Sequence, residues 1–400
     1  MPPPSQHLLL SPAELAYIHS SLSLNPPVRP DGRSPTQFRP LVAETDILPG
    51  ANGSARICFA DGTEAIVGAK AEVEKSAWKP GQHNVDITDA DMADDADATD
   101  DDPHSRGMGE NAWVEMSVEI PGYRDDDPLP VFLAAMLTEA LLADGQLRDR
   151  LFINRRFHWK LYIDVSNTLL YLLYSLDANN QPQILLLSPP LSYPLPLLSL
   201  TTHLALLSTR LPRLKSERDE DPLFDDDWAA STPLYPRAGP TAINRPPITL
   251  LVVAVGANII FDPSKEELAV AEAVMALSVG ETTTTTTTTT TTRGGGAPAV
   301  SVSGKPSAPA LRLHAIRTID PPSRLTPPGV PNALNSATGG VAPTSSAEAI
   351  ALREGMQTPG VWTPPRGGVK RGLVGRVIKL ATQEGGVAEE VLQALEAVEK

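Results

Sequence analysis

The sequence predicts a mixed α/β protein, of the α+β kind, in which mixed sheets are packed by helices. Short segments alternate apolar and polar residues with the two-residue period of half-buried strands, and other segments follow the helical period. Within residues 35–212 these segments follow one another as strands, a helix, a strand and a helix. This alternation is typical of a sheet covered by helices.

The first predicted element is a short helix within an N-terminal tail assigned to residues 1–34. Ser11 is placed as the N-cap, Pro12 as the first helical residue and Glu14 as the third, which together form a capping box. Three apolar residues follow on one face at helical spacing: Leu15, Ile18 and Leu22. We therefore expect this helix to dock against the rest of the protein.

The first domain is assigned to residues 35–212. Alternating apolar residues predict strands over 55–59, 65–73, 114–120 and 159–165. The first two strands are joined by Asp61-Gly62, which is a hairpin turn signal. Apolar helical patterns predict helices over 131–142 and 195–209. The second of these helices is apolar on most sides and should be mostly buried.

An acidic connector is assigned to residues 213–245, and a second domain to residues 246–400. The second domain starts with a predicted hairpin formed by 248–255 and 258–261. Propensity alone predicts a helix over 266–277. A strand over 311–317 and two C-terminal helices complete the domain; the helices are placed at 369–382 and 387–398.

Three inserts of biased composition are expected to be disordered because they have little to bury. One is acidic and covers about residues 80–110. The second covers about 281–310 and contains eleven consecutive threonines, and the third is the Pro-rich segment of about 321–365.

The net charge of −15 is local rather than general. Residues 86–102 contain nine Asp and no basic residue, and residues 217–227 contain seven acids and one Arg. These two tracts account for the whole excess, so acidity does not argue against a polyanionic partner.

A basic stretch stands near the C-terminus. Its cations are Arg366, Lys370, Arg371, Arg376 and Lys379, with no acid between Val361 and Leu380. The stretch is consistent either with an ordinary solvated helix face or with a surface that faces phosphate groups.

Several classes of protein are excluded. The single cysteine, Cys58, cannot form an internal disulfide, which favours a reducing compartment. The apolar run 248–261 is too short for a bilayer, so a soluble intracellular protein is expected. The sequence contains no phosphate-binding glycine loop, no paired metal-ligand spacing and no nucleophile elbow. It therefore predicts no self-contained active site, no metal and no cofactor.

A series of short motifs follows in a fixed order: 29–33 (RPDGR), 38–40 (FRP), 53–56 (GSAR), 61–63 (DGT), 67–72 (VGAKAE), 159–165 (WKLYIDV), 209–212 (TRLP) and 262–263 (DP) with 266–267 (EE). The ordered set resembles the RNase PH family and, within it, the ring subunits of the RNA exosome. This resemblance implies an RNase PH-like fold and a strand, not a helix, over 270–279.

The resemblance also implies a chain without activity. Active members attack an RNA 3′ end with inorganic phosphate, which needs clustered Arg donors and a positioned carboxylate. Here the helix over 131–140 has no Arg, and residues 187–193 lack the family's Gly-Thr-Arg turn. Of the family's later acidic pair, Glu267 fills the first place but Ala273 stands at the second, with Glu272 one residue away. No catalytic residue is therefore assigned.

The implied role is that of a non-catalytic structural subunit in a six-membered ring. The ring channel guides single-stranded RNA to a 3′–5′ exoribonuclease for rRNA processing and RNA decay. The implied partners are other RNase PH-like ring subunits, cap subunits of the S1/KH type and single-stranded RNA, without a membrane. The implied locations are the nucleus, nucleolus and cytoplasm.

A channel wall needs only positive charge that binds phosphate without regard to sequence. The candidate RNA-binding residues are Lys75, Lys79, Arg106 and Arg124, for which ordinary surface charge is the alternative interpretation. Two other functions stay open: an active phosphate-dependent 3′–5′ exoribonuclease, and an RNA-binding scaffold outside the ring.

Overall fold

The computed structural model describes residues 10–76, 109–124, 126–166, 192–216, 220–237, 243–282, 310–325, 328–341, 345–348, 351, 360–365 and 368–399. Most of the predicted acidic insert and nearly all of the threonine tract lie outside these residues.

Seven α-helices and eleven strands have both of their ends within the described residues. The helices are α1 (Pro12–Leu22), α2 (Pro128–Leu142), α3 (Gln146–Arg150), α4 (Leu195–Ser208), α5 (Lys265–Leu268), α6 (Arg371–Thr382) and α7 (Val387–Glu399). The strands are β1 (Leu41–Thr45), β2 (Gly53–Phe59), β3 (Glu64–Lys75), β4 (Val114–Glu119), β5 (Phe157–Ser166), β6 (Arg210–Leu211), β7 (Thr232–Pro233), β8 (Ile248–Val255), β9 (Asn258–Phe261), β10 (Ala273–Thr282) and β11 (Ala310–Ile319).

Helix α1 confirms the local prediction made from its cap. The Ser11 hydroxyl accepts a hydrogen bond from the backbone N–H of Glu14, and the Glu14 carboxylate accepts one from the backbone N–H of Ser11 at 2.7 Å. The capping box satisfies N–H groups that would otherwise lack helical partners. The predicted docking face is buried as expected: Leu15, Ile18 and Leu22.

The first domain is a five-stranded mixed sheet with the order β1-β2-β3-β5-β4. Strands β2 and β3 form the predicted hairpin, in which Cys58 pairs with Glu64 across the Asp61-Gly62 turn. Strand β4 runs parallel to β5, and the other neighbours in this sheet are antiparallel.

The second domain is a four-stranded antiparallel sheet with the order β11-β10-β8-β9. Strands β8 and β10 are its central strands, and both are buried over most of their length. Helix α6 packs against β10 and β11, while α7 contacts α4, β1 and β8. The two predicted C-terminal helices are therefore present and cover this sheet.

Helix α4 lies at the centre of the molecule, in contact with β2 and β3 of one sheet and β8 of the other. Its residues 195–207 are all buried. A helix that is apolar on every side must be surrounded by protein, which explains why this segment lies between the sheets. One continuous hydrophobic core therefore connects the two sheets.

The helix predicted by propensity over 266–277 is wrong beyond its first turn. Only α5 is helical there, and Ala273 begins the strand β10. This strand pairs with β8 on one side and β11 on the other. Two hydrogen-bonded neighbours and burial of both faces outweigh the weak helical preference of Ala and Glu. The strand implied by the family resemblance is the correct assignment.

Part of the predicted connector is folded onto the first domain. Strands β6 and β7 pair through Leu211 and Thr232, and Leu214 forms a bridge with Phe224. The ring of Phe224 packs against Trp159 of β5.

The prediction of disorder over 321–365 is wrong for part of that segment. Trp362 is only 3% exposed, and its backbone carbonyl accepts a hydrogen bond from the N–H of Gly329 at 2.8 Å. The Ser323 hydroxyl, also buried, donates to the carbonyl of Ala271 at 2.5 Å. Burial of one indole ring and these backbone contacts fix residues that composition alone assigns to disorder.

No helix among the described residues is both long enough and apolar enough to cross a membrane. The basic stretch near the C-terminus lies mainly on α6.

One buried histidine makes the stability of the fold depend on pH. His203 of α4 is fully buried, and its Nδ1 atom donates to the carbonyl of Pro246 at 2.7 Å. Burial disfavours the charged form and lowers the pKa of His203 to about 3, and the charges of Arg245 and Arg237 act in the same direction.

We expect acid to destabilise the protein through His203. The unfolded histidine binds a proton below pH ~6.5 but the folded one does not. The free energy of unfolding therefore decreases as the pH is lowered from about 6.5 to about 3. The slope for one such group is up to about 1.4 kcal/mol per pH unit. Urea unfolding between pH 7 and pH 5 should show a steeper loss for the native chain than for His203→Leu. Equal slopes would contradict this role.

Candidate functional site

The motif at residues 29–33 forms a buried contact with the second domain. The guanidinium of Arg29 donates to both carboxylate oxygens of Glu267, from Nε at 2.7 Å and from Nη2 at 2.8 Å. Both side chains are fully buried. The same guanidinium also donates to the carbonyls of Phe261 and Asp262. This two-point geometry fixes the guanidinium and the carboxylate relative to each other.

Two further arginines converge on Asp262. Arg33 donates to Asp262 Oδ2 at 2.8 Å, and Arg39 donates to Asp262 Oδ1 at 2.7 Å. Asp262 is fully buried and has a positive φ of 47°, in the left-handed region that most residues avoid. The many hydrogen bonds to its side chain and carbonyl hold it there. We call Arg29, Arg33, Arg39, Asp262 and Glu267 the junction cluster.

Arg39 extends the cluster to the β2-β3 hairpin. Its guanidinium donates to Asp61 and to the Ser192 hydroxyl, and it lies over the Phe59 ring at 4.5 Å. Burial works against ionisation of Asp61, but hydrogen bonds from Thr63 and the charge of Arg39 hold the pKa of Asp61 below its usual value. Burial likewise opposes the charge on Arg39, yet Asp262 and Asp61 raise the pKa of Arg39.

The charges of this region are balanced by its own side chains. The three arginines of the junction cluster contact four carboxylates: Asp31, Asp61, Asp262 and Glu267. A phosphate or a scissile phosphodiester would need arginines whose donors are free to meet an anion. These donors are already directed at protein carboxylates and carbonyls.

The positions expected to carry the acidic pair support a structural role. Glu267 is neutralised by Arg29, and Ala273 is a buried residue at the start of β10. Glu272 accepts from the Nε2 atom of His19 on α1 at 3.3 Å, and this hydrogen bond, opposed by burial, lowers the pKa of Glu272. None of these three positions presents a free carboxylate beside an arginine cluster.

Helix α2, where the active family members carry arginines, borders a cavity of about 690 Å³. The lining includes Ala134, Ala135, Thr138, Glu139, Met116 and His314. The carboxylate of Glu139 is paired with Arg317 of β11, whose Nε donates at 2.8 Å. Burial lowers the pKa of His314, which favours its neutral form. The cavity is therefore lined mainly by small apolar groups and offers no cluster of cations for phosphate.

The structure describes only the last two residues of the segment that was expected to hold the Gly-Thr-Arg turn. Residues 187–191 lie outside the described residues, while Ser192 and Tyr193 are described. Ser192 contributes to the junction cluster by accepting from Arg39. Burial raises the pKa of Tyr193 to about 12. Tyr193 therefore stays protonated at neutral pH and does not supply a base.

The predicted RNA-binding residues do not form one cluster. Lys75 is exposed at the end of β3, opposite Phe157 at the start of β5. Arg124 follows β4, whose last residue pairs with Ser166 at the other end of β5. Nine residues of a strand span about 30 Å, so Lys75 and Arg124 lie near opposite ends of the sheet. Lys79 and Arg106 lie outside the described residues.

The two described candidates also differ in their surroundings. The exposed guanidinium of Arg124 is paired with Asp126 at 3.1 Å, and its backbone N–H donates to Asp127. Lys75 has no ion-pair partner among the described residues. Lys75 is thus the more available cation.

The motifs that form the junction cluster are recognisable in the sequence, but their contact with one another is not. The contact between Arg29 and Glu267 links residues 238 positions apart, and no spacing within either motif reveals it. The signal that could have found it is chemical: several arginines and carboxylates in short loop motifs need partners if they are buried. Among the described residues, no group of three or more potential metal ligands was found.

Comparison with known proteins bears on the class of this chain. No protein-family model matches it. Two curated relatives are exosome complex components named Rrp42, and each is 29% identical to this chain. The relative from Saccharomyces cerevisiae aligns over 67% of this chain and 81% of its own length, and that from Schizosaccharomyces pombe over 68% and 78%.

Solved structures also align with the chain. One is described as the Archaeoglobus fulgidus exosome with RNA bound to the active site, with 17% identity, a TM-score of 0.42 and coverage of 67% of this chain and 82% of that chain. Another is described as an archaeal exosome core, with 18% identity, a TM-score of 0.41 and coverage of 67% and 80%.

The ordered motifs and the curated relatives make the chain similar to RNase PH-like proteins of the exosome-subunit class. Within that class, the chain is similar to the subunit called ribosomal RNA-processing protein 42. The N-terminal lead-in of residues 10–18, which caps and forms α1, carried the same likeness in the sequence.

We expect the Arg29–Glu267 pair to be essential for stability. Arg29→Met should lower the free energy of unfolding by about 3–5 kcal/mol, because the buried Glu267 carboxylate loses its partner. The double variant Arg29→Met/Glu267→Leu should recover part of this loss, since no buried charge is left unpaired. Urea unfolding of the native protein, the double variant and both single variants, Arg29→Met and Glu267→Leu, gives the coupling energy.

The matched control is Arg324→Met, which removes the exposed ion pair of Arg324 with Asp320. An exposed pair contributes up to about 1 kcal/mol, so this variant should be close to the native protein. Similar losses in Arg29→Met and Arg324→Met would contradict the importance assigned to the buried pair.

Proposed function

We propose that this protein is a non-catalytic structural subunit of the RNA exosome ring. In this role it helps to form the channel that guides single-stranded RNA to a 3′–5′ exoribonuclease on another subunit. The process served is rRNA processing and RNA decay. Support comes from the two relatives named as exosome components, which align over about two thirds of the chain.

The absence of catalysis is supported chiefly by the state of Glu267. The carboxylate that corresponds to the first acid of active members is fully buried and held by Arg29 at two points. A carboxylate in that state cannot orient phosphate or accept a proton from a substrate. The arginine-free helix α2 and the residue Ala273 point in the same direction.

The proposed partners are other RNase PH-like ring subunits, cap subunits of the S1/KH type and single-stranded RNA. The proposed locations are the nucleus, the nucleolus and the cytoplasm. An exosome subunit has to meet its RNA wherever the ring works, so these locations follow from the proposed role.

For the RNA channel we propose Lys75, Lys79, Arg106 and Arg124 as phosphate contacts. Lys75 is the last residue of β3 and Arg124 follows β4, while Lys79 and Arg106 lie between these strands in the sequence. Phosphate contacts of this kind supply affinity without base recognition. Lys75 is the best supported of the four, because it is exposed and has no ion-pair partner in the part of the chain that the structure describes.

Assembly is the first test. Native mass spectrometry on the tagged protein, purified from its own cells at moderate salt, should show a complex of about nine or ten subunits with several RNase PH-like chains. A closed ring requires such neighbours, because each interface is shared with a different subunit. A monomer, or a complex without such relatives, would contradict the proposal and favour an RNA-binding scaffold outside the ring.

The protein prepared without its partners can be tested for phosphate-dependent exoribonuclease activity. We expect no phosphate-dependent release of nucleoside diphosphates from single-stranded RNA, because no arginine cluster is free to hold phosphate. The control is the same incubation without inorganic phosphate. Release of nucleoside diphosphates that requires phosphate would identify an active exoribonuclease.

The channel contact can be measured in the assembled complex. Lys75→Gln should weaken binding of single-stranded RNA, and the loss should be greatest at low salt because the contact is electrostatic. The matched control is Lys70→Gln on the same strand, since Lys70 is exposed but already paired with Glu72 at 2.7 Å. Equal affinities for the two variants would remove Lys75 from the channel.

A further inference from the structure

Helix α6 presents a cationic face to solvent. Val377 and Ala381 are buried on its inner side, while the outer side carries three exposed cations: Arg371, Arg376 and Lys379. Eight residues of helix separate the first and last of these, which corresponds to about 12 Å along the axis. The row is therefore long enough to meet more than one phosphate of a polynucleotide.

Two glycines lie on this same outer face, between the cations. Gly372 and Gly375 are exposed, and a Cβ built on either would meet nothing within 4 Å. Neither has a positive φ, so no turn requires a glycine there. Glycine lowers helix stability, and here no packing contact accounts for it. Its effect is to leave the middle of the face open to close approach of another molecule.

The three cations have no partner in the part of the chain that the structure describes. None of them forms an ion pair there, and the sequence has no acid between Val361 and Leu380. Several exposed cations elsewhere are paired, among them Lys70 with Glu72, Lys215 with Asp225 and Arg324 with Asp320. In a protein with a net charge of −15, this face is a local excess of positive charge.

We propose that the exposed face of α6 binds the phosphate backbone of single-stranded RNA, at a second contact separate from the loops near β3 and β4. The inference rests on the proposed function, which brings RNA to the complex. The outer face consists of Arg, Gly and Lys and offers no apolar or aromatic group. A protein partner would lack an apolar anchor there, whereas a polyanion needs only charge and close approach.

The contact should not discriminate between bases. No aromatic residue occurs in 371–382, so base stacking of the kind that supports many single-strand binders is absent from this helix. Oligouridylate and oligoadenylate should therefore lose affinity to the same extent when the face is altered.

The test uses the assembled complex and a fluorescein-labelled single-stranded oligouridylate, with anisotropy measured over a series of salt concentrations. The triple variant Arg371→Gln/Arg376→Gln/Lys379→Gln should bind about tenfold more weakly at low salt. The slope of log affinity against log salt should become shallower by about 2, because three phosphate contacts are lost from a single strand.

The matched control removes the same charge from paired positions, Lys70→Gln/Lys215→Gln/Arg324→Gln, and should keep the native affinity and slope. A second variant, Gly372→Gln/Gly375→Gln, keeps every charge and obstructs the middle of the face. It should also weaken binding, while the melting temperature of the complex does not fall.

Several results would overturn the proposal. Unchanged affinity and slope in the triple variant, with the ring assembled, would show that this face does not bind RNA. Loss of assembly in that variant would instead assign the face to a subunit interface. If only the charge variant weakens binding, α6 attracts RNA without touching it, and the proposed direct contact is contradicted. Failure of the native chain to join a ring would count against the proposed function. Native mass spectrometry detects that failure independently of RNA binding.

Discussion

The buried guanidinium of Arg29 joins parts of the chain that lie more than two hundred residues apart. It holds Glu267 at the start of α5 and the carbonyls of Phe261 and Asp262 at the end of β9. Arg33 and Arg39 then attach the same corner to the first domain through Asp262 and Asp61. The N-terminal segment, the β2-β3 hairpin and the second sheet are positioned by this network, and α4 packs between the two sheets.

The same network limits the chemistry that its charged groups can carry out. Arginines and carboxylates are the groups that bind phosphate and move protons, but each can act on a substrate only if it is not already engaged. Here they neutralise one another in a buried corner, so their hydrogen bonds contribute to the position of the domains. Among the described residues, the exposed cations outside this network include Lys75 at the end of β3 and Arg371, Arg376 and Lys379 on α6.

Much of the fold could be predicted because its signals are local. The capping box of α1, the Asp61-Gly62 turn and the alternation in β4 each depend on a few neighbouring residues. The errors occur where distant contacts decide. Strand β10 is fixed by two neighbouring strands, and Trp362 is fixed by burial within a Pro-rich segment. The site was predictable only in part, since the resemblance identified Glu267 and the arginine-free helix but could not reveal that Arg29 pairs with Glu267.

The pairing of β10 with β11 affects how the protein tolerates a change in the length of the segment between these two strands. The ladder ends where Thr282 faces Ala310, so the chain leaves the sheet and returns to it at directly opposite residues. The entropy of closing a segment between fixed ends grows only with the logarithm of its length, at about 0.6 kcal/mol per doubling. A change in the number of residues between Thr282 and Ala310 should therefore cost little free energy, and the ladder of β10 and β11 can end at the same pair.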